Sequence, residues 1–115
     1  MKIMNRKEFL SLPNGILFRK YEPCVFEDMQ IKTESHPNDF VCISLDWVKT
    51  DNSRREDYTT LSEAKNAGKS FEFDYGVTYR DGLYDEDQLF AVYEQKDIND
   101  LIAFLKESTV DYPIE

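Results

Sequence analysis

A chain of 115 residues that is 41% hydrophobic and carries 8 Phe, 7 Tyr and 1 Trp holds ample material for one core, which argues against a disordered chain. Its 23 acidic and 14 basic residues leave a net charge of −9, which repels nucleic acid and anionic membrane and attracts basic partners. Two widely spaced cysteines, Cys24 and Cys42, argue against a disulfide framework and for reduced thiols in the cytoplasm, and no apolar segment approaches a signal-peptide core or a membrane span.

Asn5-Arg6-Lys7-Glu8 opens the ordered chain as a capping box, in which each of the two end side chains takes the other residue's amide. Phe9, Leu10 and Leu12 give the helix an apolar side, and Pro13-Asn14-Gly15 ends it. Ile16–Tyr21 predicts a strand stopped by Glu22-Pro23, and Cys24–Thr33 predicts two short strand pieces around Glu27-Asp28 or one bulged strand. Glu34–Asn38 is a polar loop with the only histidine, His36. Phe40–Val48 is β-rich, with Val41, Ile43, Leu45 and Trp47 on one side while Phe40, Cys42 and Val48 make the other partly apolar. Lys49–Asp57 is a solvated loop. Thr60-Leu61-Ser62-Glu63 repeats the capping box for a helix that Gly68 closes from its C′ position.

Ser70–Tyr79 alternates without a break, throwing Phe71, Phe73, Tyr75, Val77 and Tyr79 onto one face, and predicts a strand with a buried side and an acidic wet side. Arg80-Asp81-Gly82 reverses the chain, and Asp85-Glu86-Asp87 leads into Leu89–Tyr93. That run fits a central strand or the first turns of a helix opened by Asp85–Gln88. Its Val, Tyr and Phe, with a strong cap at Asp97, favour the strand. Asp97 then opens an amphipathic helix with Ile98, Leu101, Ile102 and Leu105 on one stripe, expected to lie on the five aromatic and apolar residues of the 70–79 strand. The tail from Ser108 to Glu115 is expected to pack loosely. The order α-β-β-β-α-β-β-α, joined mostly by connections too short for parallel crossovers, predicts a single α+β domain over residues 1–115. It comprises a largely antiparallel sheet of about five strands, a C-terminal helix on one face, and short N-terminal and middle helices.

Little local chemistry stands out. His36 with Cys42 lacks any thiol–imidazole signature, and Cys24, His36 and Cys42 lack the close pairing of a structural zinc site. The run Asp81…Asp85-Glu86-Asp87 does not follow the alternate-ligand pattern of a calcium loop, and each glycine is explained as a turn, a cap or a strand irregularity rather than a phosphate loop. Arg19-Lys20 and Arg54-Arg55 are flanked by acids and read as solvated surface. One enzymatic arrangement is worth weighing. Glu94-Gln95-Lys96 after a hydrophobic strand, with Asp74 or Asp87 upstream, matches the acid…(D/E)-x-K order of Mg²⁺-dependent nucleases, though the Pro-Asp of that family is missing. No cofactor or metal is expected.

The segments NRKEFLSLPNGILFRKYEPCVF…MQIK and RDGLYDEDQLFAVYE, about half of the chain, resemble small uncharacterised proteins of phages and prophages. The resemblance rests on cadence rather than a motif and transfers no site residues. It implies an accessory protein that binds and disables a host factor, such as a restriction or CRISPR effector.

Charge alone points to a basic partner. Residues 1–57 carry 9 Lys/Arg and 10 Asp/Glu, whereas residues 58–115 carry 5 and 13. The reading is therefore a small acidic, cytoplasmic, non-enzymatic binding protein that engages a basic, in the sharpest form nucleic-acid-binding, host protein, with neither nucleic acid nor membrane as a direct partner. The expected contact residues are Glu72 and Asp74 on the strand, Asp81, Asp85, Glu86 and Asp87 in the loop, and Asp97 and Asp100 at the helix start, where the last two also cap. The alternatives are the metal nuclease built on Glu94 and Lys96, and a structural protein that self-associates through exposed strand edges.

Overall fold

The first helix forms where its cap places it. In the computed structural model, which describes residues 1–50 and 56–108, Asn5 accepts the Glu8 amide at 2.8 Å and Glu8 accepts the Asn5 amide at 3.2 Å. This box opens α1 (Arg6–Leu10). Strands run over Lys2–Met4 (β1), Ile16–Glu22 (β2), Val25–Phe26 (β3), Gln30–His36 (β4), Asp39–Ser44 (β5), Thr78–Arg80 (β6) and Leu89–Val92 (β7). Two further helices cover Glu56–Ala67 (α2) and Gln95–Ser108 (α3). The fold is α+β, with one antiparallel sheet in the order β1-β7-β2-β4-β5-β6 and β3 paired to β2 beside it. Seven strands replace the expected five or so, because β1 and β3 are pieces of three and two residues, too short to show a period.

Register decides which face is deep. Phe18 opposes Val92 and Gln30, Lys20 opposes Phe90, and Lys32 opposes Cys42, so these side chains share one face. α1 lays Phe9 onto that face, stacked on Phe90 at 4.0 Å between ring centroids and packed against Phe18 and Phe40 at 4.7 and 5.1 Å. All four rings are fully buried, and each buried aromatic contributes about 1.5–3 kcal/mol. Along β5 the deeper side is therefore the one with Phe40 and Cys42, while Val41 and Ile43 stay half-buried. Lys32 reaches from the sheet to the open end of α1. Its buried ammonium donates to the carbonyls of Phe9 (3.0 Å) and Leu12 (2.6 Å) and to Ser35 Oγ (2.8 Å), and burial lowers its pKa.

The 70–79 run is not the predicted strand. Only Thr78–Arg80 joins the sheet, through β5, while Phe73 makes an isolated bridge to Val48. Phe71, Phe73 and Tyr75 are 43%, 40% and 62% exposed. The reason is topological: β5 ends at Ser44, so residues before Thr78 run past their last partner strand. Nor does the C-terminal helix cover them. α3 follows β7, four strand spacings or roughly 19 Å across the sheet from β6. No residue of α3 is buried, and Ile102 and Leu105 of the expected stripe stand about half exposed beside Phe104. The chain's radius of gyration, 16.6 Å against about 13 Å for a compact domain of this length, fits elements that stand off the sheet.

Smaller corrections follow the same logic. Glu34, Ser35 and His36 belong to β4 rather than to a loop, paired with Val41, Phe40 and Asp39 after a bulge at Thr33. α2 begins at Glu56, so Thr60 lies inside it rather than at its cap, and Gly68, at φ +68°, follows its end as expected. Leu89–Val92 is a strand. α3 starts at Gln95, and Asp97 caps it from inside, accepting the Glu94 amide at 2.8 Å. The expected loop core at residues 51–55, with Arg54-Arg55, and the tail over residues 109–115 lie outside the described residues.

Candidate functional site

The loop from Asp81 to Gln88, which joins β6 to β7, is fixed at both ends. At its start the Asp81 side chain, 2% exposed, pairs with the Lys20 ammonium and with Arg6 Nη1 at 3.4 Å. At its end the buried Gln88 amide donates to the carbonyls of Tyr21 (3.3 Å) and Leu89 (2.9 Å). Asp39, also buried, accepts the Gly82 amide at 3.0 Å and the Arg80 guanidinium at 2.8 and 3.0 Å, while Arg80 Nη2 donates to the Tyr84 hydroxyl at 2.9 Å. Gly82 and Tyr84 both take the left-handed conformation, at φ +66° and +53°, which turns the chain twice within the loop.

Between these anchors the side chains face water. Leu83 and Tyr84 are 67% and 52% exposed, and Asp85, Glu86 and Asp87 follow them, all exposed. The Asp85 carboxylate accepts the Asp87 amide at 3.0 Å, so the acidic turn holds its own shape. The result is a short, braced element that presents two apolar side chains beside three carboxylates.

The cluster beneath it joins Arg6, Lys20 and Arg80 to Asp39 and Asp81. Burial pushes the Asp39 carboxyl up, but the amides of Gly82 and Phe40 and the Arg80 guanidinium outweigh it and hold the pKa below the ordinary range. Arg6 also lies over the Phe40 ring at 5.6 Å.

Of the eight acidic residues expected at an interface, the structure brings Asp85, Glu86 and Asp87 together on the surface. Asp81 shares their loop but is turned inward, a correction with a clear cause: two buried cations require a carboxylate. Glu72, exposed, pairs with Lys49 at 3.5 Å, and Asp74 accepts the Gly76 amide at 2.8 Å, both before the edge strand β6. Asp97 and Asp100 lie beyond the other end of β7. The amino group of Met1 and the Glu94 amide hold the Asp97 carboxyl low, and Asp100 pairs with Lys96 at 2.8 Å. The eight residues thus occupy separate parts of the molecule.

The other sequence-level chemistries are also dispersed. His36 pairs with Glu34 at 2.8 Å on the surface, Cys24 is exposed, and the buried Cys42 thiol donates to Gln30 Oε1 at 3.3 Å, its pKa pushed up to about 11 by burial. Glu94 pairs with the Met1 amino group and Lys96 with Asp100, while Asp87 stands at the opposite end of β7 and Asp74 across the sheet. Among the described residues no three His, Cys, Asp or Glu side chains are placed to hold one metal ion, and no helix is long and apolar enough to cross a membrane.

The anchoring role of Arg6, Lys20 and Asp39 was missed in the sequence. A signal was present: Lys20 sits two residues after Phe18 and Lys32 two after Gln30, polar residues on the inward phase of their strands. Comparison with protein-family models, curated proteins and solved structures returned no match.

Proposed function

We propose that this protein is a non-enzymatic binding module that docks on a basic protein surface through residues Leu83–Asp87. The observation that carries the reading is the braced loop. Three carboxylates and two large apolar groups stand exposed on a segment tied at one end to the buried Asp81 ion pairs and at the other by the buried Gln88 amide, so little ordering entropy is lost on binding. Carboxylates steer a basic partner by charge, and Tyr84 and Leu83 supply contact area next to them. A nucleic-acid-binding protein is the partner this chemistry suits best, because its surface is adapted to phosphate charge, and the net charge of −9 favours the same encounter. A phage-encoded inhibitor of such a host protein is the narrowest form of this reading.

The test is affinity capture from nuclease-treated bacterial lysate, comparing the wild-type chain with the triple variant D85N/E86Q/D87N. Basic proteins should be retained at low salt, released as salt is raised, and lost with the variant. Identical capture by both chains would end the reading. Competition by DNA then decides the narrow form, since only an occupied nucleic-acid site is relieved by it.

A second reading has its own support. The exposed Ile102, Phe104 and Leu105 of α3, with β1 and β6 as sheet edges, favour self-association into an assembly. Sedimentation showing only monomer at high concentration would dispose of it.

A further inference from the structure

A pocket of about 460 Å³, within the range of small-ligand sites, is lined by Asn5, Arg6, Lys7, Leu10, Asn38 and Glu86. Its charged lining is two cations and one anion, the reverse of the balance in a chain of net charge −9. Arg6 is the decisive group. It is only 6% exposed; Nη1 donates to Asp81 and Nη2 to the Asn38 carbonyl at 2.6 Å. Its Nε is the one buried side-chain nitrogen or oxygen among the described residues that has no hydrogen-bond partner. Buried donors are rarely left so, and a donor on a cation is the costliest to leave. Lys7 is exposed and brings a second positive charge to the same pocket, and Leu10 gives it an apolar wall.

We propose that this pocket binds a small oxyanion, a carboxylate or a phosphate, with the Arg6 guanidinium as its buried donor and the Lys7 ammonium as its second cation. Guanidinium and ammonium together suit either group, since both present paired oxygens with negative charge. Glu86, in the same lining, repels the anion and disfavours a dianion more than a monoanion. The site shares Glu86 with the docking loop, but Arg6 and Lys7, which carry the anion, have no part in the docking reading.

The test is titration of the full chain with sodium phosphate and, separately, with sodium acetate, at constant ionic strength held with sodium chloride, following backbone amide resonances. Saturable shifts at Asn5, Arg6, Lys7, Asn38 and Glu86 are expected. Saturation by phosphate alone assigns a phosphate site; saturation by acetate, alone or with phosphate, assigns a carboxylate site. Lys7→Gln should weaken binding about 2–5-fold and Glu86→Gln should tighten it by a similar factor, both at exposed positions outside the core. Shifts linear in concentration for both salts, or affinities unchanged in both variants, would overturn the proposal. Lys7 lies outside the docking loop, so lysate capture by Lys7→Gln reports on docking separately.

Discussion

Leu89–Val92 and Phe71–Val77 are both short apolar-rich runs, and the sheet treats them in opposite ways. The first lies between β1 and β2, paired on both sides, and buries Phe90 and Ala91 completely. The second has one bridge and leaves its three aromatic residues 40–62% exposed. Period-two alternation states which side chains share a face. Whether anything covers that face depends on how many strands flank the run and where the helices fall, and neither is local information.

The largest effect should come from the buried side of this comparison. Phe18→Ala removes a ring in contact with Phe9, Phe40 and Phe90 and should cost about 3–5 kcal/mol in urea denaturation. Asp81→Ala should cost somewhat less, about 3 kcal/mol, because Lys20 and Arg6 lose a buried partner. A loss under about 0.5 kcal/mol, the usual range for surface acids, would put Asp81 back among the contact residues.

The same cluster makes stability depend on pH. The folded pKa of Asp39 is depressed, so its contribution is fully present above the ordinary carboxylate range near 4 and is lost as pH falls through the lower folded value. Midpoints measured from pH 7 down to pH 2 should therefore fall, beginning around pH 4. A flat profile would mean that Asp39 is not tied to Gly82 and Arg80. The smallest effect should be Phe73→Ala, at about 1 kcal/mol, since the residue is 40% exposed and its ring meets that of the similarly exposed Phe71. Should it instead match Phe18→Ala, the two runs are alike and the comparison collapses.

Much of the fold was legible because it is written locally. The Asn5–Glu8 box, the strand at Ile16, the choice of strand over helix at Leu89 and the helix after Glu94 each rest on neighbours within a few residues. What was not legible depends on distant partners. Asp81 looked like its neighbours Asp85, Glu86 and Asp87, and only the meeting of α1, β2 and the loop shows that Arg6 and Lys20 claim it. The helix stripe at Ile98, Leu101, Ile102 and Leu105 was read correctly as amphipathic. It does not lie on the 70–79 run, because strand order is not contained in the period of either segment. In the candidate site the acidic turn could be read directly, but its bracing by Asp39 and Gln88 could not.

The exposed helix has one more consequence. α3 is held by its cap at Asp97, which also pairs with the Met1 amino group, by the half-buried Ile98 and Leu101, and by side-chain pairs four residues apart, Gln95 with Asn99 and Lys96 with Asp100, worth about 0.2–0.5 kcal/mol each. A helix of 14 residues supported so lightly is marginal in water. Its amides should exchange with deuterium through local fraying, while those of Ala91 and Val92 exchange only when the sheet opens. Within the two residues Tyr93 and Glu94 the backbone passes from slow to fast exchange. On warming, the helical signal should slope away before the sheet melts, and anything that settled on Ile102, Phe104 and Leu105 would announce itself first by slowing that exchange.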